Sequence, residues 1–112
     1  ESTAAAYLQG LGYYIEDQRY RGAGGEIDIV ARHDACWVFV EVKSTATASE
    51  TLRPEARLSH AQRQRMIRAA RHFLRYRGEG GECRFDVMSV DLSQAPAVVE
   101  HWSDAFTLDT NR

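Results

Sequence analysis

Apolar and polar residues alternate along residues 25 to 43 on both sides of a short polar turn, and this pattern predicts a β-hairpin. In the first predicted strand, one face carries Ile27, Ile29 and Ala31. Asp28 therefore points to the opposite face. In the second predicted strand, Glu41 and Lys43 share one face, and the other is formed by Val38, Val40 and Val42. Each strand is expected to carry its charges on one side of the sheet.

Further helical and extended segments flank the hairpin. Regularly spaced apolar residues predict one helix over residues 1 to 11 and a second over residues 59 to 77. Strands are predicted over residues 13 to 20, 83 to 92 and 97 to 102. The expected element order is α-β-β-β-α-β-β. Apolar residues on both faces of the strand over 83 to 92 predict a central or near-central position in the sheet.

The register of the hairpin brings two acids together. A turn of two residues (34 and 35) or of four (33 to 36) pairs Asp28 with Glu41 and Glu26 with Lys43. Because directly opposed residues have Cβ atoms about 4.5 to 5.5 Å apart, the two carboxylates of the first pair would repel each other. A hard divalent cation such as Mg²⁺ removes that penalty, since it binds one or two carboxylates together with water and phosphate oxygens. Lys43 would reach the same spot.

The second helix is predicted to be amphipathic. Its apolar side contains Met66, Ile67, Ala70, Phe73 and Leu74, and its outer side contains Arg65, Arg68, Arg71, His72 and Arg75. Between residues 53 and 77 there are eight arginines and one acid, within a chain of net charge −2. Arginine forks suit phosphate oxygens, so this face predicts contacts with a nucleic-acid backbone. The alternative is a solvated helix face, although such faces usually mix both signs of charge.

Two residues each have a structural and a functional interpretation. Gln62 lies three residues after Ser59, so the pair can form a capping box at the start of the second helix; Gln62 also falls on the apolar side and could face a site on the sheet. Glu1 falls in the first turn of the first helix. It can complement the helix dipole or serve the site.

Length and composition restrict the class of protein. A chain of 112 residues with 44% hydrophobic residues fits one domain. Cys36 and Cys83 have neither metal-ligand nor disulfide-framework spacing, which indicates free thiols and a cytoplasmic location. No apolar run is long enough to span a membrane, so no membrane association is expected. Residues 44 to 59 predict a long connection that could contact substrate or be a surface excursion.

The stretches Gly25-Glu-Ile-Asp and Val38-Phe-Val-Glu-Val-Lys, in this order of helices and strands, resemble the PD-(D/E)XK nuclease superfamily. In particular, the chain is similar to the YraN-type family of small bacterial proteins. The resemblance covers essentially the whole chain, including the first helix, the arginine-rich helix, Arg84-Phe-Asp-Val and the terminal Asp104-Ala-Phe. It implies a three-layer α/β, restriction-endonuclease-like fold. A mixed central sheet would carry a divalent-metal site on its hairpin.

The resemblance also implies roles for individual residues. Asp28 and Glu41 would be ligands of Mg²⁺ or Mn²⁺, and Lys43 would orient or activate the attacking water. Glu1 would make a second-tier contact with the metal or water. Glu26 matches the family motif as well, and its expected role is to hold Lys43. Relatives commonly carry an arginine at the position of Thr45 and a lysine near that of Gln62, so this chain has less positive charge near the expected site.

These features lead to three hypotheses about function. The first is a metal-dependent endonuclease that hydrolyses phosphodiester bonds in DNA, or in RNA, with a preference for a structure such as a junction; similar resolvases are homodimers. The second is a nucleic-acid-binding module that keeps the fold without turnover. The third treats the charged residues of the hairpin as an exposed polar face, in which each ion pair contributes well under about 1 kcal/mol.

Overall fold

The computed structural model describes residues 1–45, 58–77 and 81–106 of the 112-residue chain. The elements, in chain order, are α1 (Ser2–Gly10), β1 (Tyr14–Gly22), β2 (Gly25–His33), β3 (Cys36–Thr45), α2 (His60–Tyr76), β4 (Glu82–Asp91) and β5 (Val98–Phe106). The predicted α/β class and element order are confirmed. The last strand is four residues longer at its end than the alternation predicts. Most of the predicted 44 to 59 connection lies outside the described residues.

One five-stranded sheet has the spatial order β1-β2-β3-β4-β5. Neighbouring strands are antiparallel except β3 and β4, which are parallel. Parallel neighbours need a crossover, and α2 lies in that connection. The sheet is therefore mixed, as predicted, with β3 at its centre and β4 beside it.

A helix covers each face of the sheet, so the fold has three layers. Under α2, the core contains Met66, Ile67, Ala69, Ala70 and Phe73 packed with Ile27, Val30, Trp37, Phe39, Phe85 and Val87. Under α1, it contains Ala4, Ala5 and Leu8 packed with Ile29, Ala31, Val38, Val40, Met88 and Val90. Because β3 is apolar on both faces, it can be buried between two helical layers.

The β2–β3 hairpin has the two-residue turn that the sequence left as one of two options. His33 pairs with Cys36, and Asp34 takes up a φ of 56° in the turn. The predicted register holds from there to the pair of Ile29 and Val40, where the described pairing ends. β2 nevertheless continues its pairing with β1 down to Gly25. The two strands of the hairpin therefore separate at Asp28.

The predicted face assignment of β2 is wrong at one position. Ile27 packs in the α2 core, whereas Ile29 packs in the α1 core, so strict alternation is interrupted at Asp28. Arg19, which lies across from Asp28 on β1, has a φ of 55°, which is uncommon for a residue with a side chain. The positive φ of Arg19 thus coincides with the change of face in β2.

The glycine-rich stretch between β1 and β2 allows α2 to approach the sheet. Ala23 and Gly24 form the turn with φ values of 54° and 78°. A Cβ at Gly25 would overlap the carbonyl oxygen of Arg65, and a Cβ at Gly22 would overlap the ring of His72. Within the described residues, no helix is long and apolar enough to cross a membrane.

Candidate functional site

Asp28 lies where β2 and β3 separate. Its carboxylate accepts a hydrogen bond from the backbone N–H of Val42, with a distance of 2.8 Å between Oδ2 and the nitrogen. This bond replaces the strand pairing that ends at Ile29 and Val40. The half-buried side chain of Asp28 is therefore held at the end of the hairpin ladder.

The site contains more negative charge than it can hold without compensation. The pKa of Asp28 is raised to about 7, mainly by burial and also by the nearby carboxylates of Glu41 and Glu1, against the lowering effect of the Val42 N–H. The carboxyl groups of Asp28 and Glu41 are close enough to share a hydrogen bond. At neutral pH the pair therefore needs a proton or a cation between its oxygens.

Lys43 lies beside this pair. Its Nζ atom is 3.3 Å from Oε2 of Glu41, and both side chains are largely buried, with exposed fractions of 24% for Lys43 and 19% for Glu41. The ammonium group is thus paired with one carboxylate of the site. This position places a cation next to the oxygen atoms that the sequence predicts as metal ligands.

Glu26 does not hold Lys43, so that prediction is wrong. Its Oε1 atom is instead 2.8 Å from Nε of Arg21, its direct partner on β1. The predicted pair between Glu26 and Lys43 would require β2 and β3 to stay paired beyond Asp28. Since they separate there, Glu26 turns to the strand that remains beside it.

Glu1 is the N-cap residue of α1 rather than a member of its first turn, and its side chain makes no capping hydrogen bond. Its Oε1 atom lies 3.2 Å from Nε of Arg19, and its carboxylate is close enough to raise the pKa of Asp28. The contact seen for the Glu1 side chain is the ion pair with Arg19, and not a hydrogen bond to the start of the helix. Glu1 lies at the margin of the carboxylate pair.

The donor set fits a hard divalent cation. In the described part of the chain, no three His, Cys, Asp or Glu side chains are arranged as a complete metal cage. Mg²⁺ does not need one, because it commonly keeps several waters and binds through one or two carboxylates plus substrate phosphates. Asp28 and Glu41 could supply those two carboxylates, with Glu1 in reach of bound water.

The four arginines predicted to bind nucleic acid all lie on the solvent face of α2 and are exposed: Arg65, Arg68, Arg71 and Arg75. Gln62 has its structural role, because its Oε1 accepts the Ser59 N–H at 2.9 Å and its own N–H reaches the Ser59 hydroxyl at 3.1 Å. The capping box is confirmed. The amide oxygen of Gln62 is therefore engaged by the Ser59 N–H.

Sequence reasoning missed a buried polar cluster on the α1 side of the sheet. Asp86, fully buried on β4, accepts hydrogen bonds from the His101 ring at 2.7 Å, Arg84 at 3.0 Å and the Asp104 N–H at 2.9 Å. Arg84 also reaches the hydroxyl of Tyr13 at 2.5 Å. Burial raises the pKa of Asp86, but these bonds outweigh it and the net shift is downward. The signal in the sequence was an acidic residue, Asp86, within a strand whose other residues are largely apolar.

Comparisons with known proteins show the family of this chain. Residues 1–90 match the model of the uncharacterised protein family UPF0102. The chain belongs to this family. A UPF0102 protein of Nitratidesulfovibrio vulgaris (strain DP4) is 40% identical over 96% of this chain and 81% of its own length. A UPF0102 protein of Chlorobium chlorochromatii is 34% identical over 97% of this chain and 88% of its own length. The predicted YraN-type membership is therefore confirmed, and the UPF0102 match includes every residue of the carboxylate site.

Proposed function

We propose that this UPF0102 protein is a metal-dependent nuclease that hydrolyses phosphodiester bonds in nucleic acid, with DNA as the first candidate substrate. The observation that carries the proposal is the half-buried pair of Asp28 and Glu41, whose mutual repulsion a divalent cation would relieve and which has Lys43 beside it. Two carboxylates in contact repel each other, so this contact by itself does not stabilise the hairpin.

Each residue of the site has a role in hydrolysis. Asp28 and Glu41 would hold Mg²⁺ or Mn²⁺, which when bound polarises the phosphoryl group and lowers the pKa of coordinated water. Water would add to phosphorus as one P–O ester bond breaks, and the leaving oxygen would take up a proton, which leaves one phosphate end and one hydroxyl end. Lys43 would orient that water and stabilise the negative charge that develops on the phosphoryl oxygens. Glu1 would accept a hydrogen bond from water at the margin of the site.

The exposed arginines of α2 support nucleic acid as the substrate class. The cavity beside Arg65 also contains Arg21, Gly25 and Glu26, and Asp28 follows two residues further along β2. Phosphate contacts of this kind fix the position of a strand without reading its sequence. The proposed enzyme is thus expected to select a nucleic-acid structure rather than a base sequence.

Cleavage assays with end-labelled substrates test the proposal. Single-stranded, duplex, flap and four-way-junction DNA, together with single-stranded RNA, are incubated with Mg²⁺ or Mn²⁺. Asp28→Asn and Glu41→Gln should each lower the cleavage rate by at least about 10²-fold, because each removes charge from the reacting centre. Asp34→Asn, in the exposed β2–β3 turn, is the matched control. Equal cleavage by wild type and both site variants would refute the proposal.

A non-catalytic nucleic-acid-binding module is the second candidate. It is favoured by the position of the arginines, which lie on α2 and make no described contact with the carboxylate pair. Binding without metal, a steep salt dependence and no cleavage of any substrate would support this candidate. Whether the protein acts as a homodimer, as resolvase-like enzymes do, stays a prediction that sedimentation of the free protein can test.

A further inference from the structure

A cavity of about 400 Å³ lies between α2 and the β1–β2 turn. It is lined by Ala23, Arg68, Arg71, His72, Arg75 and Tyr76. Its volume is in the range of small-ligand sites and is too small for a duplex. Three of the six lining residues are arginines, and the described lining contains no carboxylate. The cavity therefore suits one anionic group attached to a flat or apolar body.

Tyr76 provides an aromatic surface at this cavity. The side chain is 67% exposed, although it lies at the end of a helix whose opposite side is packed against the sheet. Large aromatic side chains usually bury most of their surface. The guanidinium of Arg75 is 5.7 Å from the centre of the Tyr76 ring, so a cation and an aromatic ring are presented together.

The ring of Tyr76 lies next to the ring of His72, which contacts the sheet. His72 lies 4.8 Å from it, centre to centre, and the Nδ1 atom of His72 is 2.5 Å from the hydroxyl of Tyr20 on β1. Gly22 makes room for His72, because a Cβ at that position would overlap the imidazole ring. His72, beside Tyr76 in the aromatic wall of the cavity, is thus held by contacts with the sheet.

The position of the cavity relates it to the carboxylate site. Ala23 lies in the turn before β2, and Asp28 lies three residues along β2 from Gly25, which corresponds to roughly 10 Å of extended strand. Arg65, beside Gly25 and Glu26, lies between the two locations. A short run of nucleotides could therefore extend from the carboxylates, past Arg65, to the cavity.

We propose that this cavity binds an unpaired nucleotide of single-stranded nucleic acid, with the base stacked on Tyr76 and the adjoining phosphates on Arg68, Arg71 and Arg75. Bases in a duplex are already stacked on each other, whereas an unpaired base has a free face for an aromatic side chain. The inference rests on the proposed function in taking nucleic acid as the ligand. It goes further in selecting single strands and in assigning Tyr76.

Binding is measured without metal, so that it is independent of cleavage. Fluorescence anisotropy in EDTA compares labelled oligothymidine of about twelve nucleotides with a duplex of equal length. Wild-type protein should bind the single strand more tightly. Tyr76→Ala should weaken single-strand binding about fivefold or more, since one stacking contact is lost, whereas Tyr76→Phe should bind as wild type does. Tyr14→Ala is the matched control, because Tyr14 is 64% exposed on β1.

Two further readouts separate stacking from charge. The emission of 2-aminopurine in the oligonucleotide should be quenched by wild type and by Tyr76→Phe, and not by Tyr76→Ala. Arg71→Ala should lower the slope of log affinity against log salt by about 0.7, as expected for one phosphate contact with a single strand, and Tyr76→Ala should leave that slope unchanged. Thermal melting checks that each variant is folded.

Several results would overturn the inference: tighter binding of duplex than of single strand, unchanged single-strand affinity in Tyr76→Ala, or equal losses for single strand and duplex in that variant. Absence of cleavage together with intact, Tyr76-dependent binding would instead reject the nuclease proposal alone. Loss of cleavage in Asp28→Asn with unchanged binding would support both.

Discussion

The carboxylate of Asp28 accepts the backbone N–H of Val42 at 2.8 Å, and this bond joins β2 to β3 at the point where their pairing ends. The bond also fixes Asp28 against Glu41 in a half-buried position. A side chain that closes the ladder cannot turn away to solvent without leaving the Val42 N–H unpaired. Asp28 therefore pairs with the Val42 N–H at the end of the hairpin, and in this position its carboxylate lies close to that of Glu41.

The first prediction concerns the stability of the metal-free protein. The folded pKa of Asp28 is raised from 3.8 to about 7, so the folded state binds more protons between these pH values than the unfolded state does. Stability from this group is thus lost as pH rises from about 4 through about 7. Asp28→Asn cannot ionise and its side-chain oxygen can still accept the Val42 N–H. At pH 8 in EDTA it should be more stable than wild type by roughly 1 kcal/mol, discounted for partial exposure.

Urea unfolding at pH 5 and pH 8 measures this difference. The advantage of Asp28→Asn over wild type should be larger at pH 8. Asp34→Asn controls for loss of one negative charge, since Asp34 is an exposed turn residue and asparagine tolerates its positive φ. An Asp28→Asn variant that is less stable than wild type by the same amount at both pH values would contradict a strained carboxylate pair.

The second prediction concerns metal binding. Divalent cations that bind only the folded state should raise the melting temperature at pH 7.5, with a gain of about 2.7 kcal/mol when the free ion is a hundredfold above its Kd. Asp28→Asn and Glu41→Gln should lose this gain, because each removes one of the two anionic ligands. NaCl at matched ionic strength controls for screening. A melting shift in Mg²⁺ that is equal in wild type and both variants would place the ion elsewhere.

The hairpin could be predicted because its signals are local. Alternation with a period of two and a short turn determine the register, so the neighbourhood of Asp28 and Glu41 follows from the sequence alone. The helical period likewise separates the buried side of α2 from Arg65, Arg68, Arg71 and Arg75. The Ser59 and Gln62 capping box depends on residues only three apart and was confirmed for the same reason.

The errors have a common physical origin in contacts between distant segments. The switch of face at Asp28 accompanies the positive φ of Arg19 on the neighbouring strand β1. The alternation of residues within β2 contains no information about the backbone of β1. Glu26 lies between two strands, and periodicity does not say whether its partner is Arg21 or Lys43.

The third prediction tests the buried cluster around Asp86. Asp86→Asn should destabilise the protein by about 3 kcal/mol at pH 7, because it removes the charge that His101 and Arg84 pair with inside the protein. The pKa of Asp86 is lowered, so its contribution is present above the unfolded value of 3.8 and is lost as pH falls through the folded value. The difference between wild type and variant should therefore shrink in acid.

Chemical denaturation at pH 7 and pH 3.5 measures that difference. Asp91→Asn on the same strand is the control: Asp91 is only partly buried at the end of β4 and bonds to the exposed residues Ser93 and Gln94, so its loss should matter little. If Asp86→Asn were no more destabilising than Asp91→Asn, the cluster would not anchor β5 and the loop at Tyr13 to the sheet.

The last prediction concerns the close approach of α2 to the sheet at Gly25. A Cβ there would overlap the carbonyl oxygen of Arg65, and backbone cannot move aside as a flexible side chain can. Gly25→Ala should therefore destabilise the protein by about 2 kcal/mol or more. The substitution should also weaken single-strand binding, since it pushes Arg65 and the adjoining arginines away from the β1–β2 turn. Gly10→Ala is the control, because no atom lies within 4 Å of a Cβ at Gly10. Equal melting temperatures for the two alanine variants would show that α2 does not depend on this contact.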